Sequence, residues 1–306
     1  MQQHQLKGSL MLFFCALIWG LAFVAQSVGA DHVGAFTLNG LRSLIGAVFL
    51  IPCVAFFDRL AGRPFSIWGT DNKTERQDLI TGGIVCGIVL TIASTLQQIG
   101  IGHTTVGKAG FITTLYIVIV PLLGIFVRRI PGVKVWCSVV VALIGMYLLC
   151  ISGSVRIGLG DALVIGCAFV FSIHILVVDH FAEQVDGVKL SCLQFLTSGV
   201  ICLVLAFLTE HPSWDALFAG IVPVLYAGVL SSGVGYTLQV VGQKKVEPTA
   251  ASLLLSMESV FSVLAGWVIL GQKLSARELL GCALVFAAVI CVQLPDKKKT
   301  KQVETA

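Results

Sequence analysis

Apolar residues in this chain come in long runs broken by short polar stretches, a pattern that predicts ten membrane-crossing helices. They fall near 9–29, 34–57, 79–101, 106–127, 134–152, 159–179, 188–209, 216–241, 249–270 and 276–294. Each run approaches the roughly 20 residues needed to cross a hydrocarbon layer of about 30 Å. Most connections are only a few residues long, so successive helices are expected to be antiparallel neighbours. The one long link, Asp58–Asp78, is polar, holds Pro64 and Gly69, and reads as a solvated loop.

The same pattern occurs twice. The stretch Leu96–Gly132 is matched, without a gap, by Leu238–Leu274 at an offset of 142 residues. Leu96/Leu238, Gln97/Gln239, Gly100/Gly242, Ala109/Ala251, Val118/Val260, Leu122/Leu264 and Gly124/Gly266 coincide. Near the start of each half, Cys15-Ala16 aligns with Cys167-Ala168 at an offset of 152. A repeated helix–turn–helix unit half a chain apart implies a duplicated architecture. The duplication also bears on segment 1. Val28-Gly29-Ala30 resembles a signal-peptide cleavage site, but a duplicated fold needs both copies, so segment 1 is expected to be a permanent helix. The expected units are 1–152, 153–295 and a basic tail at 296–306.

Composition supports a membrane setting. Of 306 residues 57% are hydrophobic and 12% charged, against about 25% charged in soluble domains. All ten cysteines lie inside apolar runs, where they act as small hydrophobes rather than as a disulfide framework. Their spacing predicts no metal site, and nothing calls for a cofactor. The net charge of +4 comes from Lys and Arg in loops and at helix ends, so no nucleic-acid partner is expected.

Where those cations sit predicts topology. With the N-terminus inside, fifteen of the twenty Lys and Arg fall on the inner side, from Lys7 to the tail Lys297–Lys299 and Lys301. Four fall outside (Lys108, Arg156, Lys273 and Arg277), and Arg42 lies within a helix. This bias places both termini in the cytoplasm. Five helices per copy is an odd number, so the second copy enters the bilayer upside down. The expected fold is therefore all-α, ten helices in two inverted five-helix repeats, an arrangement associated with alternating access.

In several motifs the chain resembles the EamA branch of the drug/metabolite transporter superfamily. The residues that carry the likeness are Trp19-Gly20 with Phe23, Leu41-Arg42, and Gly107-Lys108-Ala109-Gly110-Phe111 leading into Tyr116 and Pro121. The resemblance covers about 9–294. It implies a multi-pass carrier, often an exporter of amino acids or other small metabolites, with helices 1–4 and 6–9 lining the pathway and helices 5 and 10 peripheral. Many members carry a Glu after the Gly that ends segment 9. This chain has Gly271-Gln272 there, so no role for that acid carries over.

The candidate chemistry lies in polar groups placed inside the bilayer, where a charge at mid-helix costs about 2.5–3.5 kcal/mol on insertion scales. Glu258 lies about 14 Å into segment 9 at 1.5 Å per residue, and its counterpart in the first copy is Tyr116. Glu258 reads either as a contact for a substrate amine or a proton-coupling carboxylate, or as a structural acid tying helices together. Arg42 could pair with Glu258, hold a substrate carboxylate, or snorkel outward; Asn39 lies a turn before it and Gln194 is its counterpart. His174 reads as an interhelical hydrogen bond or a proton relay, with Asp179 and His180 solvated at the membrane boundary. Gln97 and Gln239 bridge helices or bind substrate, Trp19, Phe23 and Tyr236 supply an aromatic wall or packing, and Lys108 gates or anchors.

The function expected is a secondary, ATP-independent transporter of a small-molecule substrate. It would export metabolites such as amino acids across the cytoplasmic membrane, with proton coupling as one option. The sequence contains no GxxxxGK[ST] phosphate loop. Import or exchange on the same fold is the nearest alternative. An intramembrane enzyme would need a second buried acid or an HExxH, which the chain lacks, so no catalytic residue is expected. A non-transporting scaffold would have a dry, apolar centre. A homodimer is compatible, though no segment specifies one.

Overall fold

A computed structural model describes residues 2–69, 72–104, 106–126, 128, 131–150, 157–270 and 275–294, and among them no strand occurs. Helices α1 (Gln2–Ala30), α2 (Ala35–Leu60) and α3 (Lys73–Ile101) are each one continuous run. The fourth apolar segment is α4 (Val106–Thr113) followed by α5 (Tyr116–Phe126), and α6 is Val133–Cys150. Then come α7 (Leu159–Ala182) and α8 (Gly187–Thr209). The eighth segment is built from α9 (Trp214–Ala219), α10 (Ile221–Leu225), a π-helical stretch Tyr226–Tyr236, and α11 (Thr237–Gln243). Helices α12 (Pro248–Leu255), α13 (Met257–Leu270) and α14 (Ala276–Gln293) complete the described chain. Eight helical spans among the described residues are long and apolar enough to cross a membrane, and Val133–Leu149 is a shorter apolar helix.

Packing is dominated by α2 on α8, α6 on α14, and α3 on α7 and α8, with α1 lying against α13, α11 and the π-helical stretch. One large core cluster draws on nearly all of these helices, including Leu12, Leu50, Leu90, Ile117, Met146, Phe195, Leu253 and Val285.

Three expectations are corrected here. Segments 4 and 9 are not single helices. Each is interrupted by a short turn, at Thr114-Leu115 and at Ser256. At both turns a hydroxyl bonds back to the chain: Thr114 Oγ1 donates to the Gly110 and Phe111 carbonyls (3.0 and 2.9 Å), and Ser256 Oγ to that of Leu253 (2.7 Å). Such local bonds compete with the helical ladder and bend or break it. Positions 114 and 256 differ by the same 142 residues that relate the sequence copies.

The link Asp58–Asp78 is shorter than expected, because α2 and α3 extend into it from both sides. Asp58 is 1% exposed, paired with Lys189 Nζ of α8 at 2.9 Å and with Arg63 at 3.3 Å. A buried carboxylate needs such partners; Arg63 is only five residues on, but Lys189 lies too far along the sequence for local pattern to reveal. Asp179 is likewise buried rather than solvated, whereas its neighbour His180 is exposed. At the other end of α2 the Glu210 carboxylate takes the amides of Phe36 and Thr37 (2.8 Å each). That satisfies free donors at the start of a helix. The side chain of Lys108, the Gly271-Gln272 pair and the tail 296–306 lie outside the described residues.

Candidate functional site

The two helix breaks place the residues that follow them. Tyr116 is the first residue of α5, directly after the Thr114-Leu115 turn, and Glu258 the second of α13, two positions past Ser256. The breaks let both side chains turn inward, and the Tyr116 hydroxyl donates to Glu258 Oε1 at 3.0 Å with both residues buried. Glu258 also sits in the first turn of α13, where the helix dipole favours negative charge. Gly20 brings α1 onto this pair. A Cβ there would lie 2.4 Å from Cβ of Phe261 and 2.8 Å from the Glu258 carbonyl oxygen, so only glycine permits the observed approach.

Tyr116 and Glu258 line a small interior cavity. With them are Trp19, Ala22, Phe23, Gln26, Arg42, Gln97, Thr113, Phe171, Ile175, Ser231, Tyr236, Gln239 and Leu255. About 30 Å³ is open to the centre of a water-sized sphere, where one water needs roughly 10–15 Å³ by that measure. The cavity therefore has room for about two waters. Five pairs of its lining positions are repeat counterparts: Trp19/Phe171, Phe23/Ile175, Gln97/Gln239, Thr113/Leu255 and Tyr116/Glu258.

Arg42 also lines the cavity and is only 4% exposed. It neither snorkels outward nor, among the described residues, pairs with a carboxylate. Its Nη1 donates to Gln26 Oε1 at 3.0 Å, and Gln98 Nε2 holds the Gln26 carbonyl oxygen at 3.2 Å. Gln26 was not picked out by sequence reasoning. Its only signal was a lone amide in an apolar helix, on the same face as Trp19 two turns earlier.

The remaining candidates divide. Gln97 Nε2 donates to Thr113 Oγ1 at 3.4 Å, and Gln239 faces the cavity with its Oε1 unpartnered. Trp19 Nε1 donates to the Ser231 carbonyl (3.3 Å), and its ring lies 4.5 Å from that of Tyr236. Tyr236 and Ser231 belong to the π-helical stretch, a distortion that recurs at functional sites. Three candidates are not in the lining. His174 and Gln194 bond to each other (Nε2 to Oε1, 3.1 Å), joining α7 to α8, and Asn39 is fully buried with neither amide atom partnered. Indeed α8, the seventh apolar segment, contributes no lining residue.

An all-helical bundle of membrane-length helices around a small cavity lined by both polar and apolar groups defines a multi-pass membrane protein. The comparisons with known proteins give the family. Residues 6–151 and 158–294 each match the EamA-like transporter family, and the chain belongs to it. An uncharacterized transporter of Archaeoglobus fulgidus is 27% identical over 291 residues, covering 95% of this chain and 87% of its own. The threonine/homoserine exporter RhtA of Escherichia coli is 24% identical, covering 95% and 92%. A solved crystal structure superposes with a TM-score of 0.76 over 93% of this chain and 95% of the other, at 17% identity, a likeness of fold alone.

Proposed function

We propose that the protein is a secondary transporter that moves small amphoteric metabolites, amino acids foremost, out of the cell by alternating access. In this reading 1–152 and 153–295 are inverted five-helix repeats, both termini and the basic tail 296–306 are cytoplasmic, and the central cavity is the translocation site. The observation that carries the proposal is the cavity itself, which places Glu258 and Arg42 in one lining with aromatic rings between broken helices. A dry, apolar centre would have favoured a scaffold.

Two further features support it. The packing map keeps its form when the repeats are exchanged: α3 on α7 becomes α1 on α11 and the π-helical stretch, while α2–α8 and α6–α14 map onto themselves. Broken helices at the midplane that supply ligands to a solute are a recurrent design of secondary transporters. Arg42 lacks a carboxylate partner among the described residues, and a buried cation of that kind gains most from a bound anion. A substrate carboxylate at Arg42 and an amine at Glu258, with Trp19 and Tyr236 against its apolar part, would match both charges. The relatives include an exporter of threonine and homoserine, which makes these the first solutes to try. A proton carried by Glu258 is the coupling this arrangement allows.

The test is mass spectrometry of medium and cytosol from cells overproducing the native protein or Glu258→Gln. The proposal expects a solute class to accumulate outside only with the native protein. Matching profiles across native, variant and vector-only cells would count against export, and inward accumulation would favour the importer reading.

A further inference from the structure

Behind Arg42, away from the cavity, lies a set of buried polar groups that no part of the proposed transport site uses. Gly40 of α2 packs on Leu203 of α8, and Gly199 of α8 packs on Leu44 of α2. Residues 39–44 therefore lie beside 198–203 at backbone contact. Along this seam Asn39 and Ser198 are fully buried, and neither atom of the Asn39 amide nor Ser198 Oγ has a hydrogen-bond partner. The Cys202 thiol is close to Ser198 without a hydrogen bond of normal geometry. Gln98, 2% exposed, uses its Nε2 on the Gln26 carbonyl and leaves its Oε1 unpartnered. Native interiors hold few such orphans, and each one asks for a reason.

The guanidinium beside them has the complementary deficit. Arginine offers five N–H donors, and among the described residues its one hydrogen bond goes to Gln26 Oε1. Asn39 is three residues before Arg42 on the same helix, so the two side chains lie on neighbouring positions of one face. Gln98 reaches the same Gln26 that holds Arg42. Asn39 and Gln98 thus bring spare acceptors to the neighbourhood of a cation with spare donors. Ser198, level with residue 45 on the register of Gly40 with Leu203 and Gly199 with Leu44, lies about six residues from Asn39, roughly 9 Å at 1.5 Å per residue.

We infer that Asn39 and Gln98 form a second seat for the Arg42 guanidinium, into which it withdraws from the cavity when substrate is released. The inference rests on the reading that Arg42 holds the substrate's anionic group. A cation fixed permanently in the cavity would bind a carboxylate and then retain it. A competing seat of neutral oxygens lets the arginine exchange one set of acceptors for another without being stranded, since an unpaired buried charge is strongly disfavoured. Asn39 and Gln98 are in this account positioning residues. They touch the arginine and never the solute.

The seat has a signature that a structural role lacks: removing it should tighten binding. Cells overproducing each variant would be preloaded with an isotope-labelled mixture of the protein amino acids and homoserine, and efflux followed by mass spectrometry as a function of internal concentration. Asn39→Leu is expected to lower the apparent KM up to about tenfold, the scale of one hydrogen bond to a charged group. Maximal efflux should fall with it, as for loss of an interaction that competes with the bound state. Asn39→Asp should shift KM in the opposite direction, because a carboxylate in the seat would hold the arginine back. Opposite signs from two changes at one position cannot come from misfolding, provided membrane abundance is unchanged. A raised KM in Asn39→Leu, or an unchanged KM in both variants, overturns the seat. If the native protein exports nothing from the mixture, or Arg42→Gln exports as well as native, the substrate reading itself has failed and the seat falls with it.

Discussion

The two ends of the cavity are built on different principles. At one end Tyr116 and Glu258 occupy equivalent positions in the two copies, each just past an equivalent helix break, and they bond to each other. At the other end Arg42 has Gln194 as its counterpart, yet Gln194 is turned away to His174 and Arg42 is held by Gln26. Val178, the counterpart of Gln26, has no polar group at all. The two sequence copies share the helix breaks and several paired lining positions. The charges are not shared: the acid belongs to the second copy and the arginine to the first. The cavity thus has two chemically distinct poles.

The comparison can be broken most severely at the acid. Glu258→Gln keeps the shape and a partner for Tyr116 but removes the charge, and efflux is expected to fall at least about a hundredfold, at the upper range for losing one partner of a buried charged contact. At the other pole Arg42→Lys keeps the charge and loses the planar fork; an apparent KM about tenfold higher is expected in the same efflux assay. Equal losses from the two variants, in KM and in maximal rate, would erase the distinction between the poles. Gly20→Ala tests the packing that brings α1 to the acid pole. With a Cβ 2.4 Å from Phe261, about 1–3 kcal/mol of overpacking is expected, read as a lower thermal midpoint in detergent. The smallest effect belongs to Tyr116→Phe, which removes one hydrogen bond and leaves Glu258 to water or substrate. A several-fold drop in efflux is expected, well short of the Glu258→Gln loss.

Much of the architecture was legible in the sequence because it is written in periodic, long-range features. Apolar runs located the helical segments, and the coincidence of Gln97 with Gln239 and of Tyr116 with Glu258 named four cavity residues. What stayed hidden is decided by contacts across the fold. Thr114 and Ser256 look like ordinary small polar residues in apolar helices, and nothing local distinguishes a hydroxyl that breaks the helix from one that does not. Asp58 looked like part of a polar loop, since its partner Lys189 is on α8, more than a hundred residues on. Gln26 was passed over for the same reason, its role depending on Arg42 from the next helix. His174 and Gln194 were both named as candidates from sequence, but only packing reveals that they bond to each other outside the cavity lining.

The central claim is that the cavity between these poles opens to each side of the membrane in turn. Leu255 lines it and carries no charge, so Leu255→Cys, in a background whose native cysteines are replaced by serine or alanine, gives a reporter in the cavity lining. Its labelling by a membrane-impermeant thiol reagent would be measured in right-side-out and inverted vesicles. Labelling from both sides, slowed from each by a solute that the native protein exports, is the predicted result. Labelling from one side only, under every condition that supports efflux, would contradict alternating access through this site.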